Sequence, residues 1–79
     1  QKERVNFTMT LNVILEQTES NWCAFTPDDI GVVASTGKNR DEAIQSFRAA
    51  LRGHLEAMQA EGLPVPAIEN LNIQELIPI

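Results

Sequence analysis

The sequence predicts a single α+β domain with the element order β-β-β-α-β: an antiparallel meander of three strands, one helix packed on one face, and a returning fourth strand. Three observations predict it. Residues 5–15 alternate strictly between apolar and polar, residues 40–60 carry apolar side chains at helical spacing, and turn-forming residues punctuate the rest. A chain of 79 residues has room for one sheet with one helix against it. At that length only about 60% of the surface exposed by the unfolded chain can be buried. The apolar share of 43% suffices for one core, and a charged share of 22% is not that of a disordered tail. One domain over residues 1–79 is expected.

The first strand is predicted over Val5–Leu15. Val5, Phe7, Met9, Leu11, Val13 and Leu15 fall on one side, and Asn6, Thr8, Thr10 and Asn12 on the other. The polar run Gln17–Asn21 reads as a hairpin loop. Trp22–Phe25 follows as a second strand, rich in residues that suit a pleated surface. The segment Pro27-Asp28-Asp29-Ile30-Gly31 stops it, since proline has no ladder donor and Asp and Gly favour turns. Val32–Thr36 is a short third strand, ended by Gly37. Asn39 is then a good N-cap, with Glu42 three residues on to complete a capping-box-like start. Asp41 and Glu42 place negative charge in the first helical turn, where the helix dipole favours it.

The helix is predicted from Arg40 to about Ala60, with Ala43, Ile44, Phe47, Ala50, Leu51, Leu55 and Met58 as one apolar stripe. Gly62 is its C′ residue, and Pro64 and Pro66 prevent continuation. The tail, Asn70–Ile79, alternates through Leu71, Ile73 and Ile77 and is the fourth strand. Glu75 and Leu76 break its phase, and Pro78 marks an edge or an end. A strand, a helical crossover and a returning strand imply a parallel relation between the third and fourth strands.

The net charge is −5, which repels a phosphate backbone. Of the six basic residues, Lys38, Arg40, Arg48 and Arg52 fall at or near the helix's first half, too sparsely for a nucleic-acid surface. Direct DNA binding is therefore not expected, and net acidity suits a basic partner. A single cysteine, Cys23, excludes an intrachain disulfide. There is no signal-peptide pattern, and no apolar run reaches the roughly 18 residues that a membrane span requires. A cytoplasmic location away from the membrane is expected. The chain opens on Gln1 rather than Met, which leaves open whether residues precede it.

The run from Trp22 through Pro27-Asp28-Asp29-Ile30-Gly31, followed by Gly37-Lys38-Asn39-Arg40-Asp41-Glu42-Ala43, resembles the HicB antitoxin family. Members show an aromatic strand, a Pro-Asp-x-x-Gly turn, a short strand and a Gly-x-Thr-x-x-Glu-Ala helix start. The match covers Leu11 to about Met58, with Asn39 standing where the family usually has Thr. Both residues can cap a helix. The resemblance implies a reduced relative of the ribonuclease H fold that commonly dimerises. It also implies a role in binding a small basic HicA-type ribonuclease toxin and covering its active site. Many members add a C-terminal DNA-binding domain, and none is expected within a chain that ends at Ile79.

No catalytic residue, metal site or cofactor is predicted. His54 lies in the apolar stripe between Ala50 and Met58, with no identifiable nucleophile and orienting group to complete a catalytic set. It reads as a partly buried or interface residue. Cys23 has no cationic neighbour in its strand to lower its pKa and reads as a packed, inert thiol. One His and one Cys do not make a thiolate–imidazole zinc site.

A metal-dependent ribonuclease H-like hydrolase would have to use Glu16, Asp28 and Asp29, because the first strand carries no earlier carboxylate on its polar face. A solitary RNA- or ligand-binding protein would use Arg40, Arg48 and Arg52 with Trp22. The favoured reading is a protein-binding module with Trp22, Asp28 and Asp29 as its partner-binding residues. Cys23 and Phe25 are assigned to the helix side, which leaves Trp22 on the open face as an interface anchor. Asp28 and Asp29 are either turn formers or contacts for a basic partner. Gly53, inside the helix, costs about 1 kcal/mol relative to Ala, and either permits close approach of another backbone or is simply tolerated.

Overall fold

The computed structural model describes residues 8–27 and 33–76. They form an α+β fold with a four-strand mixed sheet and one helix. The elements run β1 (Thr8–Gln17), β2 (Trp22–Phe25), β3 (Ala34–Gly37), α1 (Arg40–Ala60) and β4 (Ala67–Leu76), and the sheet order is β3-β2-β1-β4. β1 pairs antiparallel with β2, β2 antiparallel with β3, and β1 parallel with β4. The expected element order is observed.

β3 and β4 point the same way, as the crossover requires, but they are not neighbours. They form the two edges of the sheet. β4 returns past β2 to lie along β1. The lengths explain the choice, since β3 offers four residues of ladder and β1 offers ten. The crossover therefore buries the most backbone hydrogen bonds beside the first strand.

The alternation in β1 becomes burial directly. Leu11, Val13 and Leu15 are fully buried beneath α1 with Ala24, Val33, Ala43, Phe47 and Leu51. From β4, Ile68, Leu71 and Ile73 pack against this cluster while remaining half-buried. A β-bulge between Met9 and Thr10 sets Ile68 beside Met9 but Asn70 beside Thr10, so Glu69 is the extra residue. The bulge brings both Ile68 and Leu71 to the helix face although they are three positions apart. It also explains why β4 begins at Ala67 rather than Asn70, since the extra residue interrupts the alternation. Glu75 does not break the phase. It pairs with Leu15 on the helix face and accepts a hydrogen bond from Arg40 Nε at 2.9 Å, forming an ion pair with the first helical residue.

The helix limits follow the capping chemistry. Asn39 has extended backbone, and its side-chain oxygen accepts from the Glu42 N–H at 2.9 Å. The Glu42 carboxylate in turn accepts from the N–H of Lys38, one residue before the cap, so the reciprocal arrangement is shifted by one. At the far end Gly62 has φ 76°. Its N–H reaches the Gln59 carbonyl and the Leu63 N–H reaches the Met58 carbonyl, each at 3.0 Å, which is a Schellman motif.

Gly37 ends β3 for a different reason. A Cβ there would stand 2.7 Å from the Glu42 carbonyl carbon and closer still to the Ala43 nitrogen. Only glycine lets the helix start this near the strand. Ser35, two residues earlier on the same face, donates from its hydroxyl to the Ala43 carbonyl at 3.1 Å.

Candidate interaction surface

The backbone of α1 runs over β3 and β2, reaches β1 and stays clear of β4, all on one side of the sheet. Among the described residues nothing covers the other side. The pairing register lays out that surface in rows. Ala34, Phe25, Ile14 and Gln74 form one row across the four strands, and Thr36, Cys23, Glu16 and Leu76 form the next. Beyond them lie Asn12 beside Asn72 and Thr10 beside Asn70. The Asn72 amide donates to the Asn12 carbonyl oxygen at 3.0 Å.

The face therefore has two zones. One is a ladder of amides and threonines. The other is a patch in which Ile14, Cys23 and Phe25 are half-buried and Leu76 is 50% exposed. A shallow depression of about 500 Å³ runs along the β2–β3 side between Glu16, Phe25 and Thr36.

This register reverses the faces that the sequence predicts for β2. Ala24 is the partner of Leu15 and is fully buried, so Trp22, two residues away and opposite Gln17, also faces the helix. Trp22 is half-buried and packs on the core, so it is not the open-face anchor expected from the sequence. Phe25 and Cys23 take the open face instead, and Cys23 is a half-buried thiol beside Glu16 and Thr36 rather than one packed under the helix. A strand of four residues, all apolar, has no alternation to read. The four-residue loop from Thr18 to Asn21 fixes which pair faces in, held by the Thr18 N–H and hydroxyl on the Asn21 carbonyl at 2.8 and 3.0 Å.

The other sequence candidates are separated in space. Asp28 and Asp29 lie outside the described residues; the chain on either side is joined by the Thr26 N–H donating to the Val33 carbonyl at 3.2 Å. The cross-strand neighbours of Glu16 are Cys23 and Leu76, so no second carboxylate flanks it in the sheet. Among the described residues no three His, Cys, Asp or Glu side chains gather as a metal site would require. His54 is half-buried on α1. Arg40 is engaged with Glu75, while Arg48 and Arg52 line a groove between α1 and the start of β4, so the three arginines do not form one patch. No described helix is long and apolar enough to cross a membrane.

Comparison with protein-family models, with curated proteins and with solved structures gave no match.

Proposed function

We propose that this chain is a non-catalytic, HicB-like protein-binding module. Its uncovered sheet face binds a small basic HicA-type ribonuclease toxin and masks it. The observation that carries the reading is the patch of Ile14, Phe25, Cys23 and Leu76, displayed beside an amide ladder on the sheet face that no described residue covers. Aromatic and aliphatic side chains held on a rigid sheet are the usual centre of a protein interface, and polar groups make its rim. The net charge of −5 adds attraction for a basic partner and makes the encounter rate depend on salt. The ordered motif from Trp22 to Ala43 supplies the family resemblance, and with it the reduced ribonuclease H-like ancestry of the fold and a cytoplasmic site of action. In this reading the protein works as a homodimer. The ten-residue edge strand β4 supports that, since its outer side has no ladder partner among the described residues.

The test is titration of the purified chain into a HicA-type toxin encoded beside it, with RNA cleavage and complex formation both followed. Stoichiometric loss of cleavage is expected. Phe25→Asp and Ile14→Asp should each weaken the complex at least about thirtyfold, the scale of an interface hot spot, while circular dichroism stays native. Absence of a complex, or full affinity in both variants, would refute the proposal. Light scattering tests the dimer, which requires twice the chain mass of 8.8 kDa.

A further inference from the structure

Among the described residues, the cover on the helix side of the sheet stops short of β4. Strands lie about 4.8 Å apart, and a helix with its side chains is about 10–12 Å across, so one helix spans roughly two strands. α1 lies over β3 and β2 and covers Leu11, Val13 and Leu15 of β1, but its backbone does not come against β4. What remains is a groove of about 510 Å³ between the second half of α1 and β4. Its apolar floor is Leu51 and Leu55 from the helix with Ile68 and Leu71 from the strand. The helix segment that lines it, Arg48 to Gln59, is about 16 Å long at 1.5 Å per residue, or three helical turns.

The lip of the groove is electrically ordered. Arg48 and Arg52 lie along its first half, and neither joins an ion pair among the described residues. Glu56 and Glu69 lie at the other end, where α1 finishes and β4 begins. We infer that the groove is a docking site for an amphipathic α-helix of another protein, running antiparallel to α1. Its apolar face would lie on Leu55, Ile68 and Leu71, and acidic residues in its C-terminal half would meet Arg48 and Arg52.

Each part of that assignment follows from the geometry. A helix has the width needed to complete the layer over β4, and at 8–10 Å from α1 it packs as helices do. The antiparallel direction places its positive N-terminal end beside Glu56 and Glu69 and its negative C-terminal end beside the arginines. A second copy of the chain is a poor occupant. The apolar stripe of its α1 is already packed on its own sheet, and the face left exposed carries Arg48, Arg52 and Glu56.

This site is independent of the open-face reading. It lies on the opposite side of the sheet and selects a helix acidic in its C-terminal half rather than a basic protein.

The probe is a labelled synthetic peptide of about 18 residues with leucines at i, i+3, i+4 and i+7. Glutamates flank the leucines in its C-terminal half and lysines in its N-terminal half; a second peptide has the two charge blocks exchanged. Fluorescence anisotropy against the full chain should show the first peptide binding at least tenfold more tightly. Arg48→Glu combined with Arg52→Glu should reverse that preference, while Phe25→Asp leaves it unchanged. Amide shifts should move at Leu55, Ile68 and Leu71. Equal affinity for both peptides, indifference to the arginine exchange, or shifts centred on Phe25 would each overturn the assignment, whatever the outcome with a toxin.

Discussion

Two of the glycines answer to opposite physics. Gly37 lies under the helix start, where an added Cβ meets the backbone of Glu42 and Ala43 rather than a flexible side chain. Gly37→Ala must push strand and helix apart, and a loss of about 2–3 kcal/mol is expected from overpacking of this kind. Gly53 faces open space in the exposed middle of α1. Gly53→Ala should therefore stabilise by about 0.5–1 kcal/mol, through helix propensity and a less flexible unfolded chain. Urea titration of both variants reads the two signs side by side. Trp22 belongs to the same scale. Packed on the core and half-buried, it should cost about 2 kcal/mol or more when cut to Ala. A variant of unchanged stability would return Trp22 to a purely surface role.

Among the elements, α1 is the one whose limits, Arg40 to Ala60, are read most fully from the residues. Its 21 residues give a long periodic stripe, and Asn39 and Gly62 mark its two ends by chemistry that depends on nothing distant. Asn39→Ala should remove the acceptor for the Glu42 N–H and lower stability by about 1 kcal/mol, with Asn39→Ser close to neutral. Thermal unfolding followed at 222 nm separates them. The strands were less legible wherever their meaning was settled by a neighbour. The face of β2 depends on the register that the Thr18–Asn21 loop imposes, so Trp22 and Phe25 exchange the sides that their own composition suggests. In β4 the extra residue Glu69 conceals three residues of strand, and Glu75 looks like an error of pattern until Arg40 is placed opposite it. The candidate surface shares this history. Its amide and threonine ladder was visible in the alternation of β1, whereas its apolar patch needed the register.

For the whole molecule, the Arg40–Glu75 pair links the beginning of the helix to the end of the last strand. Both side chains retain contact with water, at 48% and 30% exposure, and such a pair contributes little. A double-mutant cycle with Arg40→Ala and Glu75→Ala should give a coupling below about 1 kcal/mol, and one that falls further in high salt. Most of what holds β4 in place is then its ladder to β1 and the seating of Ile68, Leu71 and Ile73.

That ladder has a consequence for how the protein is made. Asn12 and Asn72 touch across the sheet but are 60 positions apart in the chain. During synthesis the β1–β2–β3 hairpins can leave the ribosome while α1 and β4 are still within it, and β1 then waits with its helix face bare and one side of its backbone unpaired. Contacts this distant in sequence are slow to close, because the loop entropy is lost before the pairing repays it. Folding should end with capture of the last strand. A ribosome-stalled chain stopped before Ala67 should expose Leu11 and Val13 to other chains, and it should be the species on which a chaperone acts.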